Sequence, residues 1–430
     1  MKKTFFPAHL IGTVSAPASK SEAHRRMICA GLTKGETMLT GFMDSADMAA
    51  TMRCLGALGS TFNRDGDTLT ISGMQGKIAK MPVMDCGESG STLRFFVPIA
   101  LTVAGGTVFR MHGRLGSRPM DVYRDLFVPR GVRWYMGVGA DGAAELTVRG
   151  KMEPGDYVLP GNVSSQFISG LLFATPLMEA PSTIEVRAPF ESRSYVDLTT
   201  DAMQKFGVKV SARARKDGSA TYKVAAPQHY AAADMDVEGD YSQAAFLAVL
   251  GSTVGGITIT GLPSGSHQGD RVILDILKQC GAKFERSGSH VTFHRSLLKA
   301  VEIDLADCPD LGPVLIALGC FCSGTTIIRN AGRLRIKECD RIAAMQEELA
   351  KMGGTVKADG DTLTIEGCAL HKPTAPLNGH NDHRIVMAMA VAALAAGQPA
   401  VIEGANAVNK SWPDFFEVIK GLGTHVTNQG

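Results

Sequence analysis

The sequence predicts an α/β (α+β) protein of two domains, each assembled from small units of one design, and three observations carry that expectation. Six glycines, Gly59, Gly131, Gly207, Gly281, Gly353 and Gly423, recur roughly every 70–76 residues. Each closes an amphipathic helical stretch, and before each stretch lies an acid: Asp47, Asp121, Asp197, Asp270, Asp340 and Asp414. An Asp near a helix N-terminus suits the positive end of the dipole, and a Gly past the C-terminus enters the left-handed region at little cost. Each unit also opens on a strand-like run, at 35–41, 106–111, 182–186, 256–261, 324–328 and 400–404.

Taken in order, the opening Met1–Phe6 resembles a signal-peptide start. Pro7, His9 and Gly12 interrupt it before an apolar core forms, so a first strand is expected. Ala16-Pro17-Ala18-Ser19 marks a boundary, and Ser19 with Glu22 reads as a capping box opening a helix to about Ala30. Arg64-Asp65-Gly66-Asp67 and Ala358-Asp359-Gly360-Asp361 carry hairpin chemistry. A second boundary falls at Val237-Glu238-Gly239-Asp240. The expected domains are therefore 1–18 plus 238–430, and 19–237, with three units in each and a ligand cleft between them. The densest apolar stretch, Ile385 to Ala396, is too short to cross a bilayer and suits a buried helix.

Composition narrows the class. With 45% hydrophobic and 20% charged residues in 430, this is an ordinary globular chain, and a formal charge of +2 provides no global attraction to nucleic acid or membrane. No stripe of basic and aromatic residues suggests RNA or DNA. Nine scattered cysteines without a CxxC pair point to reduced thiols in a cytoplasmic protein, without structural zinc.

Function should lie where the repeat is broken. Lys20, Ser21 and Arg25 crowd one helix start, where side-chain charge and helix dipole both favour an anion. Gly87 to Arg94 is a small-residue loop feeding an apolar helix expected near Thr92. Gly90 admits a ligand to the backbone, and the missing Lys excludes a Walker loop. Gly116-Ser117-Arg118-Pro119 sets an Arg at a rigid turn, and Ser164-Ser165-Gln166 offers three neutral donors at a helix start. Two acids stand out among the cations: Asp310 in a Pro-Asp-Leu-Gly-Pro run, and Glu338 in Arg335–Arg341. A helix cap and a surface ion-pair network, respectively, are their plainer explanations. Arg384 follows His380-Asn381-Asp382-His383; no second cluster in the sequence supplies matching metal ligands, so an anion contact is the better reading. Lys410 occupies the position in its repeat that Arg118 and Lys337 occupy in theirs. So many cations imply a strongly anionic ligand set.

At these residues the chain resembles the enolpyruvyl transferase family over nearly its whole length. The motifs are Pro17-Ala18-Ser19-Lys20-Ser21 with Arg25, Gly87 to Arg94, Arg335 to Arg341, and Asn381 to Arg384. The resemblance implies six βαβαββ units, three per domain around a pseudo-threefold axis, closing on substrate. It implies transfer of the enolpyruvyl group of phosphoenolpyruvate to the 5-hydroxyl of shikimate 3-phosphate, in aromatic amino-acid biosynthesis, by a monomer with no metal or organic cofactor. It assigns phosphoenolpyruvate to Lys20, Gly90, Arg118, Gln166, Arg341, Arg384 and Lys410. Shikimate 3-phosphate falls to Lys20, Ser21, Arg25, Ser164, Ser165, Gln166, Ser192, Asp310 and Lys337. Catalysis falls to Asp310 as base, Glu338 as acid, and Lys20.

Three positions depart from the family pattern: Ala18, Glu88-Ser89 beside Gly90, and Arg333. A carboxylate at Glu88 works against an anion, phosphoenolpyruvate or the inhibitor glyphosate alike. The alternatives are the sister activity on UDP-N-acetylglucosamine, which typically uses a Cys that the stretch 112–119 lacks, and a non-catalytic anion-binding relative, which would not need both acids.

Overall fold

The computed structural model describes residues 1–74 and 78–429. It divides the chain into two compact units, Lys20–Val237 and Met1–Ser19 with Glu238–Gly430.

Among the described residues one sheet design occurs six times. Two parallel strands lie side by side, and the second is followed across the sheet by two antiparallel strands. In the unit 20–237 the parallel pairs are Met235–Asp236 with Glu36–Thr40, Val83–Asp85 with Gly106–Met111, and Asp156–Pro160 with Ser182–Arg187. Their hairpins are Thr61–Asp65 with Thr68–Ser72, Arg133–Val138 with Ala144–Arg149, and Val210–Ala214 with Ala220–Val224. In the other unit the pairs are Gly12–Ser15 with Ile257–Thr260, Glu302–Asp304 with Thr325–Arg329, and Leu377–Asn378 with Ala400–Glu403. Two of its hairpins are Lys283–Ser287 with His290–His294 and Val356–Asp359 with Thr362–Glu366. In the last sheet the N-terminal strand Lys2–Phe6 lies between Ala400–Glu403 and His425–Gln429, antiparallel to both. The first fifteen residues thus supply strands to two sheets of that unit.

Among the described residues twelve α-helices connect the strands. In the unit 20–237 they are α1 (Lys20–Gly31), α2 (Ala46–Ala57), α3 (Gly90–Val103), α4 (Asp121–Phe127), α5 (Ser165–Ala174) and α6 (Arg193–Lys205). In the other unit they are α7 (Tyr241–Val254), α8 (Ile273–Gln279), α9 (Gly312–Phe321), α10 (Arg341–Ala350), α11 (His383–Ala395) and α12 (Phe415–Gly421). Helices α7, α9 and α11 pack on one another, and α11 is buried from His383 to Leu394. A helix apolar on every face is stable only when enclosed in this way. No helix among the described residues is long and apolar enough to cross a membrane.

The punctuating glycines behave as their chemistry predicts: all six have positive φ, from 83° at Gly207 to 114° at Gly423. The acids are less uniform. Asp340 caps α10 by accepting from the N–H groups of Ile342 and Ala343, whereas Asp197 falls in the second turn of α6 and Asp270 in a 3-10 turn ahead of α8.

At the start of α1 the Ser19 N–H donates to the Glu238 carbonyl at 2.8 Å, and Glu22 pairs with Arg26 one turn on. The helix after the Gly87 loop begins at Gly90 rather than near Thr92, because Ser89 is its N-cap and accepts from Thr92 N–H.

Candidate active site

The sequence-predicted residues gather into a cluster within each unit. In the unit 20–237, Lys20, Ser21 and Arg25 lie in the first two turns of α1. Lys20 Nζ meets Asp47 of α2 at 3.0 Å. Arg25 is 3% exposed. Its Nε donates to Thr199 Oγ1 at 2.8 Å and to the Tyr195 carbonyl at 3.1 Å, and its Nη1 to the Ser21 carbonyl at 2.7 Å. Both partners lie on α6, whose N-cap is Ser192, held at φ 54°. Burial pulls the Arg25 guanidinium down to about 10, still charged at neutral pH.

The loop from Gly87 meets the Arg118 turn and the start of α5. A Cβ on Gly90 would lie 2.6 Å from Arg118 Nη1, so only glycine lets the guanidinium approach this closely. Ser164 caps α5, accepting from Gln166 N–H at 3.3 Å, and Ser165 is buried just inside the helix. Gln166 Nε2 donates to Ser91 Oγ at 2.7 Å while its Oε1 accepts from Arg94 Nη1 at 2.7 Å. Arg94 reaches on to the Pro119 carbonyl at 3.2 Å, tying loop, turn and helix start together. Glu88 lies against Gly113, where a Cβ would fall 2.5 Å from its Oε2.

In the second unit the network is denser and ionic. Asp310 receives Arg384 Nη2 at 2.9 Å, Lys337 Nζ at 3.3 Å and Arg341 Nη1 at 3.7 Å. Its backbone carbonyl takes Arg384 Nη1 at 2.9 Å. The residue at the N-cap of α9 is Leu311 rather than Asp310. Glu338 holds Arg341 Nη2 at 2.7 Å. Asp382, fully buried, takes Arg341 Nε at 2.7 Å and caps α11 through Arg384 N–H at 2.8 Å. Lys410 Nζ donates to the Asn381 carbonyl at 2.6 Å.

These contacts set the charges. Burial works against the Arg341 cation, but Asp382, Glu338 and Asp310 around it outweigh burial and raise its pKa. Burial likewise opposes the Asp382 carboxylate, and Arg341 more than compensates, so its pKa falls. Lys337 is different. Burial pulls its ammonium down to about 8 against the upward pull of Asp310, with Arg341 and Arg333 adding like-charge repulsion.

Arg118, Lys337 and Lys410 each end a 3-10 turn that follows the second strand of a sheet, at Leu115–Ser117, Gly332–Ile336 and Ala405–Lys410. Their equivalence in the repeat is therefore structural. Sequence reasoning gave no role of their own to three supports: Arg94, at the end of the Gly87 motif, Ser242, which takes Arg384 Nη2 at 2.9 Å, and Asp382, inside the motif Asn381 to Arg384. It also missed that Glu347 and Glu348 meet His380. That trio does not suit a metal, because the Lys351 ammonium already lies 2.9 and 2.8 Å from the two Glu348 oxygens.

Comparison with known proteins follows the same line. The family model described as EPSP synthase (3-phosphoshikimate 1-carboxyvinyltransferase) matches residues 6–419. A 3-phosphoshikimate 1-carboxyvinyltransferase of Clostridium kluyveri is 41% identical over 420 residues, covering 98% of this chain and 97% of its own. One from Clostridium acetobutylicum is 39% identical over 424 residues, with 98% and 97% covered. Among solved structures, EPSP synthase from Acinetobacter baumannii superimposes with a TM-score of 0.76 at 23% identity, covering 99% of this chain and 100% of that one. The enolpyruvyl transferase NikO from Streptomyces tendae gives 0.75 at 18% identity, covering 100% and 98%. At these identities the structures speak for the fold; the sequence matches speak for the family. With its length matched almost end to end, this chain belongs to the EPSP synthase family of 3-phosphoshikimate 1-carboxyvinyltransferases.

Proposed function

We propose that the chain transfers the enolpyruvyl group of phosphoenolpyruvate to the 5-hydroxyl of shikimate 3-phosphate, releasing phosphate, with the two clusters above as halves of one site. On this reading the units form a pseudo-threefold arrangement each and close over both substrates. Lys20, Ser21, Arg25, Ser164, Ser165, Gln166, Ser192, Asp310 and Lys337 hold shikimate 3-phosphate. Lys20, Gly90, Arg118, Gln166, Arg341, Arg384 and Lys410 hold phosphoenolpyruvate. Family membership supports the reaction, and one observation supports the division of labour: Asp310 lies among Lys337, Arg341 and Arg384, with Glu338 on the other terminal nitrogen of the same Arg341.

The chemistry follows from that arrangement. The 5-hydroxyl adds to C2 of phosphoenolpyruvate while C3 gains a proton, giving a tetrahedral intermediate. Phosphate then leaves as C3 gives a proton up. Asp310 takes the hydroxyl proton and Glu338 protonates the methylene carbon, the roles reversing in elimination. Without ligand, the cations neutralise Asp310. Arriving phosphate and carboxylate groups compete for the same guanidinium and ammonium groups, and an Asp310 relieved of its partners becomes a stronger base. Substrate binding thereby switches on the base that the reaction requires.

A phosphate-release assay tests the reading. Release should occur with shikimate 3-phosphate as acceptor and not with UDP-N-acetylglucosamine, whose family branch uses a Cys that residues 112–119 lack. Release with neither would contradict it.

A further inference from the structure

Glu348 takes no part in the chemistry above, yet it is one of the most completely engaged groups in the molecule. It is fully buried. Its Oε1 accepts from His380 Nε2 at 2.8 Å, and its Oε2 from the Asn378 N–H at 2.8 Å. The Lys351 ammonium bridges both oxygens. Burial alone would raise the Glu348 carboxyl; the hydrogen bonds from His380, Lys351 and Asn378 outweigh it and hold the group below its usual range.

Its position on α10 is what matters. Glu348 lies seven residues, two helical turns, after Arg341, so both project from one face. Arg341 grips Asp382 and Glu348 grips His380 and Asn378. The helix therefore clamps the segment 378–382 at both ends. Between the clamps run two consecutive residues other than glycine in the left-handed region, His380 at φ 49° and Asn381 at φ 52°. Such a pair persists only where its surroundings over-determine it. Here the second carbonyl of the pair accepts Lys410 Nζ at 2.6 Å, and the next residues are Asp382, which caps α11, and Arg384.

We infer that Glu348 and His380 are positioning residues: the Glu348–His380 contact fixes the left-handed His380–Asn381 turn, and that turn sets the Lys410 ammonium and the approach of Arg384. The inference rests on the proposal that Lys410 and Arg384 hold phosphoenolpyruvate.

Substitutions at His380 test it without opening the core. His380→Asn keeps a residue that tolerates left-handed backbone but is too short to reach Glu348; His380→Phe is the second loss variant, used in its place if the first does not fold. His380→Gln can still donate from the position of Nε2. Loss of the contact should raise KM for phosphoenolpyruvate about tenfold, with KM for shikimate 3-phosphate changed by less than about twofold, and His380→Gln should recover most of it. On a Lys410→Ala background the loss variants should add little, because the group being positioned is gone. A purely structural role would lower the melting temperature, shift both KM values alike and add in full to Lys410→Ala; that result overturns the inference. Should Lys410→Ala itself leave phosphoenolpyruvate KM unchanged, the site assignment fails and the inference with it. If Lys410→Ala acts and the His380 variants do not, the inference alone fails.

Discussion

The two clusters are built from different electrostatics. In residues 20–237 two buried guanidinium groups of the site rest on neutral groups, Arg25 on Thr199 and two carbonyls and Arg94 on Gln166 and the Pro119 carbonyl, while Lys20 pairs with Asp47. In the second unit Arg341, Arg384 and Lys337 are each bound to carboxylates, with Asp310 shared by all three. A guanidinium on neutral acceptors keeps a fixed charge and can only bind. Cations on carboxylates can exchange those partners for a ligand's anionic groups, and in doing so change the basicity of the acids they leave. The first cluster is thus suited to recognition and the second to recognition coupled with proton transfer.

The largest expected effect separates these roles. Asp310→Asn and Glu338→Gln retain shape and most hydrogen bonds, so each should lower kcat by about 10²–10⁴ while KM for both substrates moves little. Arg25→Ala in the recognition cluster should do the reverse, raising KM for shikimate 3-phosphate with a smaller change in kcat. Steady-state kinetics on the three variants would break the comparison if all behaved alike.

Removing Arg341 should be costly to the fold itself. Arg341 is 1% exposed and its partner Asp382 is 0% exposed, so Arg341→Met leaves a buried charge unpaired, a loss of roughly 3–5 kcal/mol. Denaturant unfolding should show that loss, and Arg341→Met with Asp382→Asn should recover part of it. No such recovery would mean that the pair is not coupled.

How far each half was legible in the sequence follows the same physics. The six glycines and the basic loops could be read because left-handed turns and helix starts are local chemistry, carried by neighbours in the chain. Gln166 stood out as a donor, but not its partner Arg94, 72 residues earlier. The Glu22–Arg26 pair, four residues apart, is local chemistry, whereas the Ser19 N–H goes to a carbonyl of Glu238 far along the chain. Glu348 and His380, 32 residues apart, gave no sign of meeting. Pairs made by the fold are invisible until the fold is known.

The pH dependence sharpens the contrast with a smaller effect. Lys337, pulled down to about 8, loses its proton as pH rises through that value, whereas Arg25, pulled only to about 10, stays charged. Binding that depends on the Lys337 charge is present below about pH 8 and weakens above it, by up to about tenfold per unit. Calorimetric titration with shikimate 3-phosphate above about pH 8 should also record proton uptake. Lys337→Arg should abolish both trends. A flat profile in the unsubstituted protein would remove Lys337 from the phosphate contacts.

Gly90→Ala is expected to act least. Its Cβ meets the far end of the Arg118 side chain at 2.6 Å, and the guanidinium can shift aside. KM for phosphoenolpyruvate should rise about three- to tenfold, with thermal stability nearly unchanged. An unchanged KM would show that Arg118 need not sit over Gly90.

The central claim, that the second unit performs the proton transfers, is tested most directly by rapid-quench single-turnover kinetics on Asp310→Asn with Glu338→Gln, alongside calorimetric binding of shikimate 3-phosphate. The account predicts binding within about threefold of the unsubstituted protein and neither tetrahedral intermediate nor released phosphate on the timescale of its single turnover. A double variant that binds normally and turns over at the unsubstituted rate would contradict it.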